Sequence, residues 1–354
     1  MNTKIIATVG PACESYEKLK ALIEEGVDIV RINFSHATQE QYLRIRDSLN
    51  RIKQETGKAT LILQDLQGPR IRIGHLTHEV DMKPDEIYAF MYNEGNIDNL
   101  EIPIDHRELI EDIKPGEHFY ISNGAIEMVV TEVRDNRIFA RVERGGLVLS
   151  RKGINLPQTN LRQGGITEKD LADARFGLEN GADFIALSFV QSQTDISRMR
   201  QFLSESAQGS QLPLPKIIAK IERATALPVI DEIIKAADGI MVARGDLGIE
   251  APLEDLPIIQ KNLIRHAHWH DKPAIVATEM MTSMLEHDRP TRAEVGDVAN
   301  AIFDGADALM LSDETAIGRY PLQTVTMMQR ILKRADDYFN NRNYFDNTEV
   351  IYKK

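Results

Sequence analysis

Two short segments place opposite charges where a backbone could approach an anion closely. In VARGDLGIE (242–250), an arginine, two glycines and a carboxylate follow the apolar run GIMV (239–242). Gly245 and Gly248 lack the side chains that would block a charged ligand. Asp246, at the mouth of a strand, is by type a ligand for a hard metal. Upstream stands KIIAKIER (216–223), in which Lys220 and Glu222 differ by two and so share one side of a strand. A cation beside an acid, next to another acid at the end of the following strand, suggests a site for a metal and a phosphate.

Holding such groups together requires strands that end at one place. Apolar runs recur at 4–10, 28–35, 59–65, 183–190, 216–222, 239–246, 273–280 and 308–314. They are near-continuously apolar, as strands covered on both faces are. Helical patterns lie between them, as at 15–26, 168–182 and 255–270, with Gly26 and Gly181 where C-terminal caps belong. This alternation predicts an α/β protein with a (β/α)8 TIM barrel. One interval is out of step. Between about 74 and 165, turn signals such as Lys114-Pro115-Gly116 and Ser122-Asn123-Gly124 separate the short runs HFYIS, EMVVTEV and RIFARVE. It reads as a small all-β lid inserted after strand 3. The expected domains are 1–73 for the first part of the barrel, 74–164 for the lid and 165–345 for the second part. The last helix is expected over 324–341, with a short polar tail after it. Removing the insert leaves roughly 260 residues, close to the roughly 250 of one such barrel.

In this architecture the chemistry sits at the C-terminal strand ends. Those ends carry Arg31, Asn33, Ser35 and His36 on strand two, and Asp65 with the loop QGPRIRIG on strand three. Strand five ends in Lys220 and Glu222, strand six in Arg244, Gly245 and Asp246, strand seven in Thr278 and Glu279, and strand eight in Ser312, Asp313 and Glu314. Acids for Mg²⁺, cations for a phosphate, and hydroxyls are the equipment of phosphoryl transfer, which depends mostly on positioning and charge neutralisation.

The net charge of −12 and pI of about 5.3 argue against a nucleic-acid or anionic-membrane partner. No apolar run approaches the roughly 18 residues of a membrane span, and no secretory signal is visible at the N-terminus. The single cysteine, Cys13, excludes an intrachain disulfide and suits a reducing cytoplasm; it is read as a spectator thiol. His266, His268 and His270 are read as an exposed helical face rather than a zinc site. Asp304 and Asp307 read as helix-end and turn residues, and Met280, Met281 and Met284 as packing near the site.

The ordered segments TKIIATVGPAC, VRINFSHAT, LQDLQGPRIRIG, RKGINLP, KIIAKIER, DGIMVARGDLGIE and ATEMMTSMLEHDRPTRAEVGDVANAIFDGADALMLSDETAIGRYP resemble those of the pyruvate kinase family. The resemblance covers the barrel from end to end and touches the insert at its return. It implies transfer of a phosphoryl group from phosphoenolpyruvate to ADP, giving ATP and pyruvate. By position it implies that Glu222 and Asp246 bind Mg²⁺ (or Mn²⁺). Lys220 would face the transferring phosphoryl group, with Arg31 sharing its charge. The amides of Gly245 and Asp246, with the Thr278 hydroxyl, would hold the substrate carboxylate. Thr278 would also stand near proton delivery to the enolate carbon. Arg72 would meet the nucleotide phosphates, Asn33 and His36 would lie on the nucleotide side, and Lys152 would reach in from the lid when it closes.

Three departures shape the expectations. Many members read DTKGPEIR where this chain reads DLQGPRIR. In them a K⁺ site forms with positions matching Asn33, Ser35 and Asp65; here Leu66 and Arg70 replace its threonine and glutamate. A permanent guanidinium charge at Arg70 could substitute for K⁺, so K⁺ is expected not to be required. Most members also add a C-terminal effector domain after the last barrel helix. Its absence here leads us to expect no sugar-phosphate activation through it, and a homodimer rather than a tetramer. Finally, the return NLPQTNLRQGGITEKD is longer and richer in glycine than usual, so the hinge is expected to differ. Two other readings stand beside phosphoryl transfer: a Mg²⁺-dependent pyruvate-enolate lyase or aldolase, and a non-catalytic relative. The insert and Lys220 weigh against the lyase, and retention of Arg31, Lys220, Glu222, Asp246 and Thr278 weighs against a pure scaffold.

Overall fold

A computed structural model describes residues 3–162 and 164–340. The expected barrel end at 345 and the polar tail lie outside the described residues. Within them, eight parallel strands close a barrel: Lys4–Thr8, Ile29–Asn33, Leu61–Asp65, Phe184–Leu187, Lys216–Ile221, Gly239–Ala243, Ala274–Ala277 and Ala308–Leu311. Each pairs with its successor in the chain, and the eighth with the first. The chain is thus a (β/α)8 TIM barrel. Alternation along each strand divides the apolar side chains. Ile6, Leu63, Ile218, Met241, Ile275 and Met310 fill the barrel interior. Their neighbours Ile5, Ile62, Ile217, Ile240, Val276 and Leu309 join the shell under the helices. Burying each such side chain contributes about 1.5–3 kcal/mol.

The strands are shorter than the apolar runs, because their polar ends leave the ladder to form loops. The sixth stops at Ala243, and the chain turns at once into the short helix Arg244–Glu250. Several of the longer helices start on side-chain caps, although Leu256–Trp269 does not. Thr167 with Asp170, Ser192 with Asp195 and Thr291 with Glu294 each form a reciprocal capping box, with a cap contributing about 1 kcal/mol. RPTRAE therefore owes part of its pattern to capping. At the other end of helix Glu168–Glu179 the cap is Asn180, and Gly181 follows in the left-handed region at φ 80°. The final helix runs Pro321–Asn340.

After the third strand the chain enters a second β unit. Its six-stranded sheet has the order Ile154–Asn155, His118–Ile121, Ile126–Arg134, Arg137–Arg144, Ile87–Tyr92, Glu101–Ile104, and Val80–Met82 pairs separately with Gly146–Val148. Asp135 and Asn136, both at positive φ, form the two-residue loop between Arg134 and Arg137, as a hairpin matched to strand twist requires. The unit has its own apolar cluster, in which Phe90 and Phe119 meet edge to face at 5.1 Å. Ile71 and Ile73 belong to that cluster, and Arg72 bridges to Gly153, so the chain joins this unit soon after Asp65. Gly68, at φ 70°, makes the turn possible: a Cβ there would lie 2.9 Å from the Cβ of Ser188.

Candidate active site

The C-terminal ends of the second to fifth barrel strands hold one buried charge network. Asp65 is 1% exposed and lies between two cations. Arg31 reaches its Oδ2 through Nε and Nη2, both at 2.7 Å, while Lys220 Nζ lies 3.1 Å from Oδ1. Lys220 Nζ also lies 3.0 Å from Glu222 Oε1 and donates to Ser188 Oγ at 2.7 Å. Ser188 Oγ in turn donates a hydrogen bond to the Leu66 carbonyl, also at 2.7 Å. Arg31 Nη1 donates to Thr8 Oγ1 at 3.0 Å. Glu222 Oε2 accepts the Phe189 amide at 2.6 Å, with Phe189 itself in the left-handed region at φ 56°.

These contacts decide which group stays charged. Burial alone would push the Asp65 carboxyl up, but Lys220 and Arg31 outweigh it and hold it below its ordinary range. Burial likewise opposes the Lys220 charge, and Asp65 and Glu222 restore it, leaving the amine above its usual value. Glu222 fares differently. Burial raises its carboxyl, Lys220 opposes that only in part, and Asp246 and Asp65 raise it further, to about 7. Asp65 is therefore the firmly ionised partner, and Glu222 the acid that readily takes a proton.

The sixth and seventh strands add a neighbouring constellation. Thr278 sits at φ 69° and Glu279 at φ 54°, left-handed conformations uncommon for non-glycine residues and an outlier for a β-branched one. The Thr278 hydroxyl accepts from Gly245 N at 2.8 Å and lies 2.6 Å from the Ala277 carbonyl, to which it donates. Its own carbonyl accepts Arg244 Nη2 at 2.7 Å, and Arg244 Nη1 is paired with Asp297 at 2.7 Å. Arg244 is thus buried, with its guanidinium held by the Thr278 carbonyl and Asp297. Gly248 also differs from expectation. A Cβ there would meet Leu256 at 3.2 Å, so this glycine serves helix packing and not ligand approach. Asp246 is half-buried on the first turn of its helix, with Asn155 Nδ2 at 3.5 Å from Oδ1.

The remaining expected residues spread around this centre. Asn33 Oδ1 accepts the Ser35 amide at 3.0 Å and so shapes its own loop. Leu66, 1% exposed, packs in the main apolar core. Arg70 is exposed and lines a cleft with Asn155, Phe189, Asp246 and Glu250. Arg72, partly buried, feels Arg70 and Arg151 as repelling neighbours. His36 and Lys152 are exposed, and their side chains make no hydrogen bond or ion pair among the described residues. Sequence reasoning missed Thr8, Ser188, Phe189 and Asn155. Ser188 carried the clearest signal, a hydroxyl inside the fourth apolar run, directly after the last strand residue Leu187.

The donors suit a divalent hard cation. Two cations, Arg31 and Lys220, face three acids, Asp65, Glu222 and Asp246, so the centre carries surplus negative charge. Among the described residues no three His, Cys, Asp or Glu side chains gather as a metal cage. Mg²⁺ commonly takes one or two protein carboxylates and completes its shell with substrate oxygens and water, and Glu222 with Asp246 match that pattern. The helix histidines do not form such a centre: His266 and His270 both meet Asp231 Oδ1, at 2.8 and 3.1 Å, and His268 meets Asp307 at 3.0 Å. Cys13 is buried, with its thiol pushed up by that burial. No helix among the described residues is long and apolar enough to cross a membrane.

Residues 1–325 match the family described as pyruvate kinase, barrel domain. A pyruvate kinase of Agrobacterium vitis is 43% identical over 349 residues, covering 98% of this chain and 71% of the relative. One from Thermococcus litoralis is 41% identical over 343 residues, covering 97% and 71%. The solved structure of a pyruvate kinase from Cryptosporidium parvum superposes with a TM-score of 0.90 at 36% identity, over 95% of this chain and 70% of that one.

Proposed function

The chain belongs to the pyruvate kinase family, and from that membership and the site geometry we infer a phosphotransferase that moves the phosphoryl group of phosphoenolpyruvate to ADP, giving ATP and pyruvate. One observation carries the reading: Lys220 Nζ is fixed by Asp65, Glu222 and Ser188 within 3.1 Å at the strand ends, and a third acid, Asp246, acts on Glu222. The three oxygens hold the ammonium in one place before substrate arrives, which is the preorganisation that stabilises developing charge.

Mg²⁺, or Mn²⁺ in its place, would be held by Glu222 and Asp246, neutralising the surplus acid charge and polarising the substrate oxygens. Lys220 and Arg31 would face the transferring group and share its charge. The Asp246 amide would orient the substrate carboxylate next to the Thr278 hydroxyl; the Gly245 amide, which donates to that hydroxyl at 2.8 Å, would have to exchange this bond to join it. Because that hydroxyl donates to the Ala277 carbonyl, protonation of the enolate carbon would run through a water it positions. Arg72 would take the nucleotide phosphates, with Asn33 and His36 on the nucleotide side and Lys152 approaching from the small β unit. Closure of that unit, the inserted lid of 74–164, would exclude water that competes for the phosphoryl group. K⁺ is not required in this proposal. Leu66 offers no ligand in its buried position, and Arg70 brings a permanent charge to the cleft. The single cysteine fits a reducing cytoplasm.

Pyruvate formation from phosphoenolpyruvate, ADP and Mg²⁺, with Lys220→Met as control, tests the reading. Turnover by the native chain that vanishes in the variant supports it. Absence of turnover with every nucleoside diphosphate would overturn it.

A further inference from the structure

The return from the small β unit is anchored on the site by two residues that the proposed chemistry does not use. Glu250 is 8% exposed and lies one helical turn after Asp246. Its Oε1 accepts the Leu156 amide at 3.4 Å, and its Oε2 accepts the Ala224 amide at 3.1 Å. Arg223, 3% exposed, follows Glu222 directly. Its Nη2 donates to the carbonyls of Leu156 at 2.8 Å and Thr159 at 2.6 Å, and its Nε faces Glu250 Oε2 at 3.7 Å. Just before this segment, Asn155 offers its amide to Asp246, and Ile154–Asn155 is the strand that ends the six-stranded sheet.

We infer that Glu250 and Arg223 are positioning residues that set the spacing of Glu222 and Asp246 through the seat they build for residues 155–159. The inference rests on the proposed role of Glu222 and Asp246 as cation holders. The geometry has a simple logic. Glu222 and Arg223 are adjacent on one loop, and Asp246 and Glu250 share one face of one short helix. In each pair one member faces the cation position, while the other grips the same strand return. The loop and the helix are thereby tied to each other and to the small β unit through a shared, buried, charge-assisted set of contacts. Metal affinity depends on such outer contacts: losing one typically weakens binding by about 10- to 100-fold.

Mn²⁺ binding to the free protein, followed by electron paramagnetic resonance, tests this without turnover. Glu250→Gln keeps the shape and one acceptor but removes the charge facing Arg223. We expect its Mn²⁺ dissociation constant to rise about tenfold or more. The KM for Mg²⁺ should rise by a similar factor, with kcat changed less. Arg223→Lys keeps the charge but loses the planar guanidinium, whose Nη2 reaches both carbonyls while its Nε faces Glu250, and should show the same loss. Glu250→Asp, which restores the charge, should recover part of the affinity. Mn²⁺ affinity within twofold of native in both folded Glu250→Gln and Arg223→Lys would overturn the inference, even if their melting temperatures fall. Failure of the native chain to bind Mn²⁺ would instead overturn the assignment of Glu222 and Asp246.

Discussion

Replacing Lys220 with methionine separates a catalytic cation from a merely structural ion pair, because the two roles predict different magnitudes. Breaking a buried pair by removing one partner generally costs about 3–5 kcal/mol. Here the loss should sit near the lower end, about 3 kcal/mol at pH 8, for two reasons. Asp65 keeps both Arg31 contacts at 2.7 Å. Glu222, whose carboxyl is already raised to about 7, can take a proton and avoid standing as an unpaired buried charge. At pH 6 Glu222 is mostly protonated even in the native chain, so the substitution should cost less there. Turnover should respond far more strongly. Removing one preorganised donor from a reacting centre costs about 10²–10³ in rate, and a full cation facing a phosphoryl group should reach at least the upper figure. Urea unfolding at both pH values, alongside initial rates on the folded variant, reads both quantities. A rate within tenfold of native would refute the catalytic role of Lys220. An equal loss of stability at pH 6 and pH 8 would refute the account of Glu222 as its titrating partner.

The Glu222 shift also gives the native chain a pH dependence with a definite sign. Its folded value of about 7 lies above the ordinary 4.5, so between those limits the folded state binds a proton that the unfolded chain releases. This contribution is most favourable below pH 4.5 and is lost as the pH rises through 7, up to about 3 kcal/mol in all; Glu222→Gln should flatten that part of the profile in thermal melts without divalent cation. Replacing K⁺ by Na⁺ or tetramethylammonium should leave the initial rate within about twofold if Arg70 supplies the missing charge, and a large drop would sink that argument. Met241→Ala, inside the barrel, should cost about 2–5 kcal/mol in guanidinium unfolding, because a closed barrel cannot collapse onto the cavity.

The barrel was legible because covered parallel strands need continuous apolar runs, and the eight runs each contain one observed strand. Their lengths were not legible, since a strand ends where its ladder stops and not where its apolar character does. The site divides along the same line. Lys220 and Glu222 could be paired from spacing alone, because the two-residue period puts them on one side of an extended segment, even though the strand itself stops at Ile221. Partners that come from other strands carry no such signal. Asp65 was visible as a polar strand end, but its place between Arg31 and Lys220 depends on the barrel bringing the third and fifth strand ends together across the fourth. Arg244 shows the reverse limit. Next to two glycines and an acid, its type suggested a ligand contact, yet closure of the barrel placed Asp297 and the Thr278 carbonyl behind it. A long side chain at a strand end can turn either toward the mouth or back into the helix layer, and the neighbours that decide lie far away in the chain. The same reasoning explains why Glu250 and Arg223 escaped notice. Each stands next to or one turn from an acid of the site, but their common target is the return strand of the small β unit. Only the fold brings that segment within reach of both.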